Sequence, residues 1–277
     1  MEINNFEKLS PDQYKINTKN HWSESPCGSN YSGSEPYTEK YFNEIESHRY
    51  ETHPWILKSI ESFDIKNKKV LEIGLGVGTD HLNLARQGAE MYGIDLTKKC
   101  VEVTGNRLKI FGLQSYLVNG DAENLPFEEE VFDFVYSFGV IHHSPDTQKI
   151  IDEVHRVLKP GGKCFITVYN KNSIFFWWTT YLYNFLWKKS YKKRTLTQQI
   201  SLIEYPNNSE DMIIRLYNPN EFRVMFSSFS TIKCYVKQLL FSDIAIIDRI
   251  FKDDHPNKFL SFLGNIFGWY IVIEATK

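Results

Sequence analysis

The stretch VLEIGLGVGTD, Val70–Asp80, decides how this chain is read. "KKVLEI" is a short apolar run of the kind that forms a buried strand, and it stops at Gly74. Gly74, Gly76 and Gly78 follow at alternate positions and open a helical pattern, TDHLNLARQG, which Gly88 closes. Glycines at such a junction let the chain turn tightly and let a ligand approach the backbone with no Cβ in the way. The bland alternative is a plain glycine-rich turn.

Working outward, the same rhythm continues. EMYGIDL is a second strand, KKCVEVTGNRLKIFG a helix, SYLVNGD a third strand and VFDFVYSFG a fourth. DTQKIIDEVHRVLK is a helix stopped by Pro160, KPGG a tight turn, and KCFITVYN a fifth strand. Strands alternating with helices predict an α/β fold with a mostly parallel sheet, helices on both faces and right-handed crossovers. After Asn170 the rhythm breaks, so 171–217 reads as an insertion. PNEFRVMFSSF then predicts a helix, TIKCYVKQLL a sixth strand, 242–267 a helical stretch and GWYIVIEAT a seventh strand. On the other side, SEPYTEKYFNEIESHRY predicts a helix broken at His53-Pro54, WILKSIESF continues as another, and residues 1–35 read as an irregular arm. The expected organisation is an arm with lid helices over 1–60 and one domain over 61–277.

Two ligands compete for the glycine loop. A dinucleotide fingerprint is G-x-G-x-x-G with a helix N-terminus on the pyrophosphate. Here the third glycine comes one residue early and Thr79 stands at the fingerprint's last position, which disfavours a nicotinamide dehydrogenase. G-x-G-x-G preceded by an acid, Glu72, is the S-adenosylmethionine (SAM) pattern, and an acid suits a ligand carrying an ammonium and a sulfonium. Asp95 ends the second strand 21 residues after Gly74, where an acid can bind ribose hydroxyls; it could instead cap the following helix. Leu96 would line the adenine. Asp121 ends the third strand and could accept from an adenine amino group, or only cap a turn.

Glu72, Gly74, Gly76, Gly78, Asp95, Asp121, FDFVYS (Phe132–Ser137) and LKPGG (Leu158–Gly162), in this order, resemble the class I SAM-dependent methyltransferases. Within them the chain is similar to the branch of ubiquinone/menaquinone-type C-methyltransferases and many small-molecule methyltransferases. The resemblance covers 68–170 well, 218–277 loosely, and 1–60 and 171–217 in no specific way. It implies a Rossmann-like seven-stranded sheet with an antiparallel last strand. It implies Glu72, Gly74 and Gly76 at the methionine end of SAM, Asp95 at the ribose, and Leu96, Asp121 and Ala122 at the adenine. Ser137 and Phe138 would lie near the sulfonium. The N-terminal helices of such enzymes often close over SAM, which makes Tyr37, Tyr41, Tyr50 and Trp55 candidate lid residues.

Since the sulfonium already activates the methyl group, the protein's task is alignment and exclusion of water. His142 and His143 lie just past the fourth strand, and either could take a proton from an acceptor. The alternative is that they pack, or cap the helix beginning near Asp146. His143 is the better candidate on position.

Composition bounds the rest. The 277 residues are 42% hydrophobic, 24% charged and 15% aromatic, with net charge −2, which gives no general affinity for nucleic acid. From Val154 to Ile203 there is no acid, and nine basic residues leave −11 on the remainder. Cys27, Cys100, Cys164 and Cys234 have no metal-ligand or redox spacing. No metal cluster, P-loop, G-x-S-x-G turn or N-P-P-Y signature is evident. A polar N-terminus predicts no secretion and a cytoplasmic location.

Inside the acid-free region, SIFFWWTTYLYNFLWKKSYKKR (Ser173–Arg194) reads as an amphipathic helix. Ser173, Thr180, Asn184, Lys188 and Tyr191 fall on one side, and Phe175, Phe176, Trp178, Tyr181, Leu182, Phe185 and Leu186 on the other. As an α-helix, 173–187 spans about 22 Å, too short for a hydrocarbon core of about 30 Å. It could pack on the core, wall an acceptor site, or dock on an anionic membrane. The expected function is transfer of a methyl group from SAM to an O, C or N atom of a small, apolar or aromatic metabolite. The alternatives are a lipid or glycolipid acceptor at a membrane surface, and a non-catalytic SAM-binding regulatory protein.

Overall fold

A computed structural model describes residues 9–205, 212–247 and 258–277. Its centre is one sheet in the order β3-β2-β1-β4-β5-β8-β7. The strands are β1 Lys69–Ile73, β2 Glu90–Asp95, β3 Tyr116–Asn119, β4 Phe132–Phe138, β5 Leu158–Asn170, β7 Thr231–Lys237 and β8 Tyr270–Thr276. A two-residue strand, β6 Leu216–Tyr217, pairs with the end of β5. β8 runs antiparallel between β5 and β7, and the other pairs are parallel.

Both faces of the sheet are covered, and side chains alternate between them as a pleated strand requires. On one face Leu71, Ile73, Val135, Ile166 and Ile273 pack with Ile150, Ile151 and Val154 of helix α6 (Thr147–Val157). On the other, Val70, Phe134, Phe165 and Val272 pack with α3 (Pro54–Ser62), α4 (Thr79–Arg86) and α5 (Lys98–Ile110). Strand order reverses between β1 and β4, so the crevice for a ligand lies at the carboxyl ends of these strands.

Several sequence expectations change. The arm is not irregular throughout: Pro11–Glu24 is helix α1, with Ser10 accepting from Gln13 N–H at 3.2 Å and proline in its first turn. Helix α2 (Glu39–Thr52) follows as expected. KPGG is a bulge inside β5, where the pairing slips between Phe132 and Phe134 and Gly161 takes φ +77°. PNEFRV is α8 (Pro219–Val224), after a short α7 (Leu196–Ser201). Of the stretch expected to be helical over 242–267, Lys258–Phe267 is α9, Phe241–Asp243 is a single 3-10 turn, and 248–257 lie outside the described residues.

The aromatic segment differs most. Phe175–Trp187 is a π-helix, closed by bonds such as Lys188 N–H to Tyr183 O at 2.9 Å. A wider turn abolishes the 3.6-residue register of the sequence reading. Ser173, Phe176 and Thr180 face inward at 1%, 0% and 2% exposure, while Trp177, Trp178, Leu182 and Leu186 are exposed. Two positions of the expected polar side are therefore the buried ones.

Candidate functional site

The glycine loop leaves β1 with all three glycines at positive φ: 82°, 53° and 74°. A Cβ on Gly74 would lie 2.2 Å from Val140, and one on Gly78 would lie 2.9 Å from Thr104. One on Gly76 would lie 3.0 Å from the Cys27 carbonyl oxygen. The loop is thus clasped by the exit of β4, by α5 and by the N-terminal arm.

Asp95 at the end of β2 holds this loop in place. Its Oδ2 accepts from Leu75 N–H at 2.8 Å, and its Oδ1 from the Thr97 N–H at 2.8 Å and hydroxyl at 2.9 Å. Burial raises its pKa against the pull of these bonds. Thr97, not Asp95, caps α5. Leu96 beside it is half-buried.

Glu72 points inward. The Ser115 hydroxyl donates to Met91 O at 2.7 Å, so its oxygen can accept from His81 Nε2 at 2.8 Å. That leaves His81 Nδ1 facing Glu72 Oε2 at 2.8 Å. Burial drives His81 down to about 3 and Glu72 well above the usual carboxylate range. The physical resolution is a neutral pair, with the proton on Glu72 donated to Nδ1. The charge read from the position of Glu72 is therefore absorbed within the protein.

The buried anion of the loop region is Asp80, which the sequence did not single out. Arg49 holds both of its oxygens, Nε to Oδ1 at 2.7 Å and Nη2 to Oδ2 in a short contact. Tyr50 and Tyr136 donate to it at 2.9 and 2.7 Å. These donors, with Arg49, keep its pKa low despite burial. Of the lid candidates, Tyr50 belongs to this network, and Tyr41 packs beside Val77 with Tyr37 at its edge. Trp55 donates to Gln238 at 2.7 Å.

At the ends of β3 and β4 the arm returns. Lys15 of α1 reaches Asp121 Oδ2 at 2.7 Å and Glu123 Oε2 at 2.5 Å. Asp121 Oδ1 also accepts from Glu123 N–H at 2.9 Å, and Ala122 packs against the core. The Ser137 hydroxyl donates to Ile73 O at 3.0 Å. Phe138 joins an aromatic wall, 5.0 Å from the Tyr270 ring and 5.8 Å from Trp55, with the Arg49 guanidinium 4.7 Å over its face.

His142 and His143 sit on one 3-10 turn past β4, and Asp146 caps α6, so neither histidine is the cap. His143 is bonded at both nitrogens. Nδ1 lies 3.1 Å from Ile213 O and 2.9 Å from the Tyr205 hydroxyl, and Nε2 lies 3.1 Å from Glu204 Oε2. The Tyr169 hydroxyl donates to the other Glu204 oxygen in a short contact. His142 is fully buried, its ring 4.2 Å from both His143 and Tyr169, and neither of its nitrogens has a partner among the described residues. Burial, with His143 beside it, holds His142 neutral by pushing its pKa well below the ordinary value. The ligand atoms of His142, His143 and Glu204 lie within 4.8 Å of one another, a set that could hold a zinc-like cation. Glu204 and Tyr205 belong to the insertion. Only the fold, not spacing, brings them to the histidines, so the sequence carried no signal for them.

Residues 71–166 match a family model described as a methyltransferase domain. The chain is 39% identical over 101 residues to phthiotriol/phenolphthiotriol dimycocerosates methyltransferase of Mycobacterium tuberculosis, covering 36% of this chain and 37% of that protein. It is 32% identical over 121 residues to ubiquinone biosynthesis O-methyltransferase of Coxiella burnetii, covering 43% and 52%. The matches thus span about a third to a half of the length of these curated relatives. Among solved structures, a SAM-dependent methyltransferase from Thermotoga maritima superposes with a TM-score of 0.52 at 20% identity, covering 87% of this chain and 98% of that one.

Proposed function

We propose that this chain, whose residues 71–166 match a methyltransferase-domain model, moves the methyl group of SAM to an O, C or N atom of a small apolar or aromatic acceptor. The observation that carries the acceptor side is His142. It is a buried, neutral imidazole with two unpartnered nitrogens at the carboxyl edge of the sheet, set against Tyr169. A buried polar group without a partner costs stability, so its retention fits a role toward a ligand.

The residues present fit SAM. The glycine loop offers bare backbone, Asp95 keeps lone pairs beyond its present bonds, and Asp121 offers an oxygen that Lys15 now holds. Phe138 and its aromatic neighbours form an apolar wall that helps exclude water beside the methyl group. When bound, SAM supplies an already activated methyl group. A His142 nitrogen then receives a hydrogen bond from the attacking group and orients it, while Glu204 and Tyr205 fix the plane of His143 behind it. This reverses the order of the two histidines read from position alone, because His143 has no free nitrogen.

Calorimetry with SAM and with NAD tests the cofactor, and tight NAD binding without SAM binding would overturn the reading. Incubation with SAM and panels of phenolic, quinol and amine acceptors, read by product mass, tests transfer. SAM binding with no methylated product from any panel favours a regulatory SAM-binding protein.

A further inference from the structure

Of the fifteen large hydrophobic side chains exposed among the described residues, ten lie on two helices and the turn that follows the first. Six belong to the π-helix and its exit, among them Trp177, Leu182, Leu186 and Trp187, the last 67% exposed. Four belong to α9, where Phe259 and Phe262 are 68% and 62% exposed beside Ile266 and Phe267. Trp269 lies beside one end of each helix. Phe175, the first residue of the π-helix, packs on its ring at 4.7 Å, and α9 ends two residues before it. An apolar surface concentrated in this way marks an interaction site.

Charge names the partner. Lys188, Lys189, Lys192 and Lys193 are exposed at the exit of the π-helix and Lys258 at the start of α9. Among the described residues none of these five forms an ion pair with a carboxylate. Exposed tryptophans beside lysines suit the boundary between headgroups and acyl chains. Lysines near an anionic leaflet are attracted by its negative surface potential. A second copy of this chain is disfavoured, since a two-fold contact through this face would bring the two lysine clusters together.

We propose that the π-helix and α9 together seat the protein on an anionic lipid bilayer without crossing it. No helix among the described residues is long and apolar enough to span one. The seat is one layer from the site. Phe176 of the π-helix is buried in the same cluster as Tyr169 and Tyr205, which contact the two histidines. An acceptor dissolved in the bilayer would thus reach His142 from the apolar side. That last step rests on the methyltransferase reading, whereas the docking itself does not.

The test is sedimentation of the full chain with vesicles of phosphatidylcholine alone, and of phosphatidylcholine with roughly one-third phosphatidylglycerol. Binding is expected to the anionic vesicles only and to fall with added salt, as screening requires. Lys188→Gln/Lys189→Gln/Lys192→Gln/Lys193→Gln and, separately, Trp187→Ser/Phe262→Ser should each weaken it at least roughly tenfold. Both variants should bind SAM as the parent does, which shows them folded. No binding to anionic vesicles at low salt, binding unmoved by either variant, or a concentration-dependent dimer abolished by Trp187→Ser/Phe262→Ser would overturn the proposal. Vesicle binding without SAM binding would overturn the methyl-transfer reading and leave the docking intact.

Discussion

Lys15 and Asp121 meet at 2.7 Å across the mouth of the site, tying the N-terminal helix to the end of the third strand. The same ammonium reaches Glu123, so one side chain holds α1 down at two points. Lysine and Asp121 are partly exposed, at 22% and 36%, so the tie is modest, about 0.2–1 kcal/mol per pair. Lys15→Met should leave the melting temperature nearly unchanged, while amide exchange across 11–24 speeds by roughly threefold, which about 0.7 kcal/mol provides. SAM association should quicken as well. Hydrogen exchange and stopped-flow binding check this, and unchanged exchange would mean that other contacts hold the helix.

The glycine loop tolerates no side chain at its first position. Gly74→Ala combines a φ of +82° with a Cβ 2.2 Å from Val140, so a loss of about 1–3 kcal/mol is expected in urea unfolding. Gly76→Val should act on binding, pushing on the Cys27 carbonyl and weakening SAM by roughly tenfold or more, about 1.4 kcal/mol. Asp95→Ala removes the acceptor shared by Leu75 and Thr97 and should weaken SAM as much. Calorimetric affinities equal to the parent's would remove these residues from the cofactor site.

A buried and a half-buried histidine set an acid limit on stability. His81 and His53 have folded pKa values lowered to about 3, below the ordinary histidine value, so the unfolded chain binds more protons as pH falls. Their contribution is whole above about pH 6.5 and is lost as pH falls toward 3, at up to about 1.4 kcal/mol per pH unit for each group. Glu72 has the opposite sign. Its raised pKa favours the folded state at low pH, and that contribution fades as pH rises through the elevated value. Unfolding free energies measured from pH 7 to pH 4 should fall, and His81→Asn should flatten the slope. A slope identical to the parent's would place the titrating group elsewhere.

The two histidines of the 3-10 turn should separate in kinetics. His142→Asn is expected to lower kcat by roughly a hundredfold, with SAM affinity unchanged, as a misplaced attacking group would. His143→Asn should cost less, because it acts through Glu204 and the position of its neighbour. A larger loss at His143 would restore the assignment that position alone suggests.

The fold was legible because its signals are local. Three glycines after VLEI, the acids at or just past the ends of β2 and β3, and the short apolar runs of the buried strands need no distant information. α1 was missed although Ser10 and Pro11 announce it, since its polar residues give no apolar stripe to reinforce the cap. The π-helix was not legible, because a 3.6-residue wheel assigns the wrong face once bonds run five residues apart. The surroundings of the histidines were hidden for another reason. Glu204, Tyr205 and Lys15 lie far from them or from Asp121 in sequence, and only tertiary packing brings them there.

The position of β8 has a consequence for how the chain is made. β7 touches the sheet only through β8, and β8 lies between β5 and β7. Until residues 270–276 have left the ribosome, β5 presents an open hydrogen-bonding edge along Lys163–Tyr169, and β7 has nothing to pair with. This half of the sheet can therefore assemble only once β8 is available. A translating chain stalled before Tyr270 would expose an edge open to aggregation.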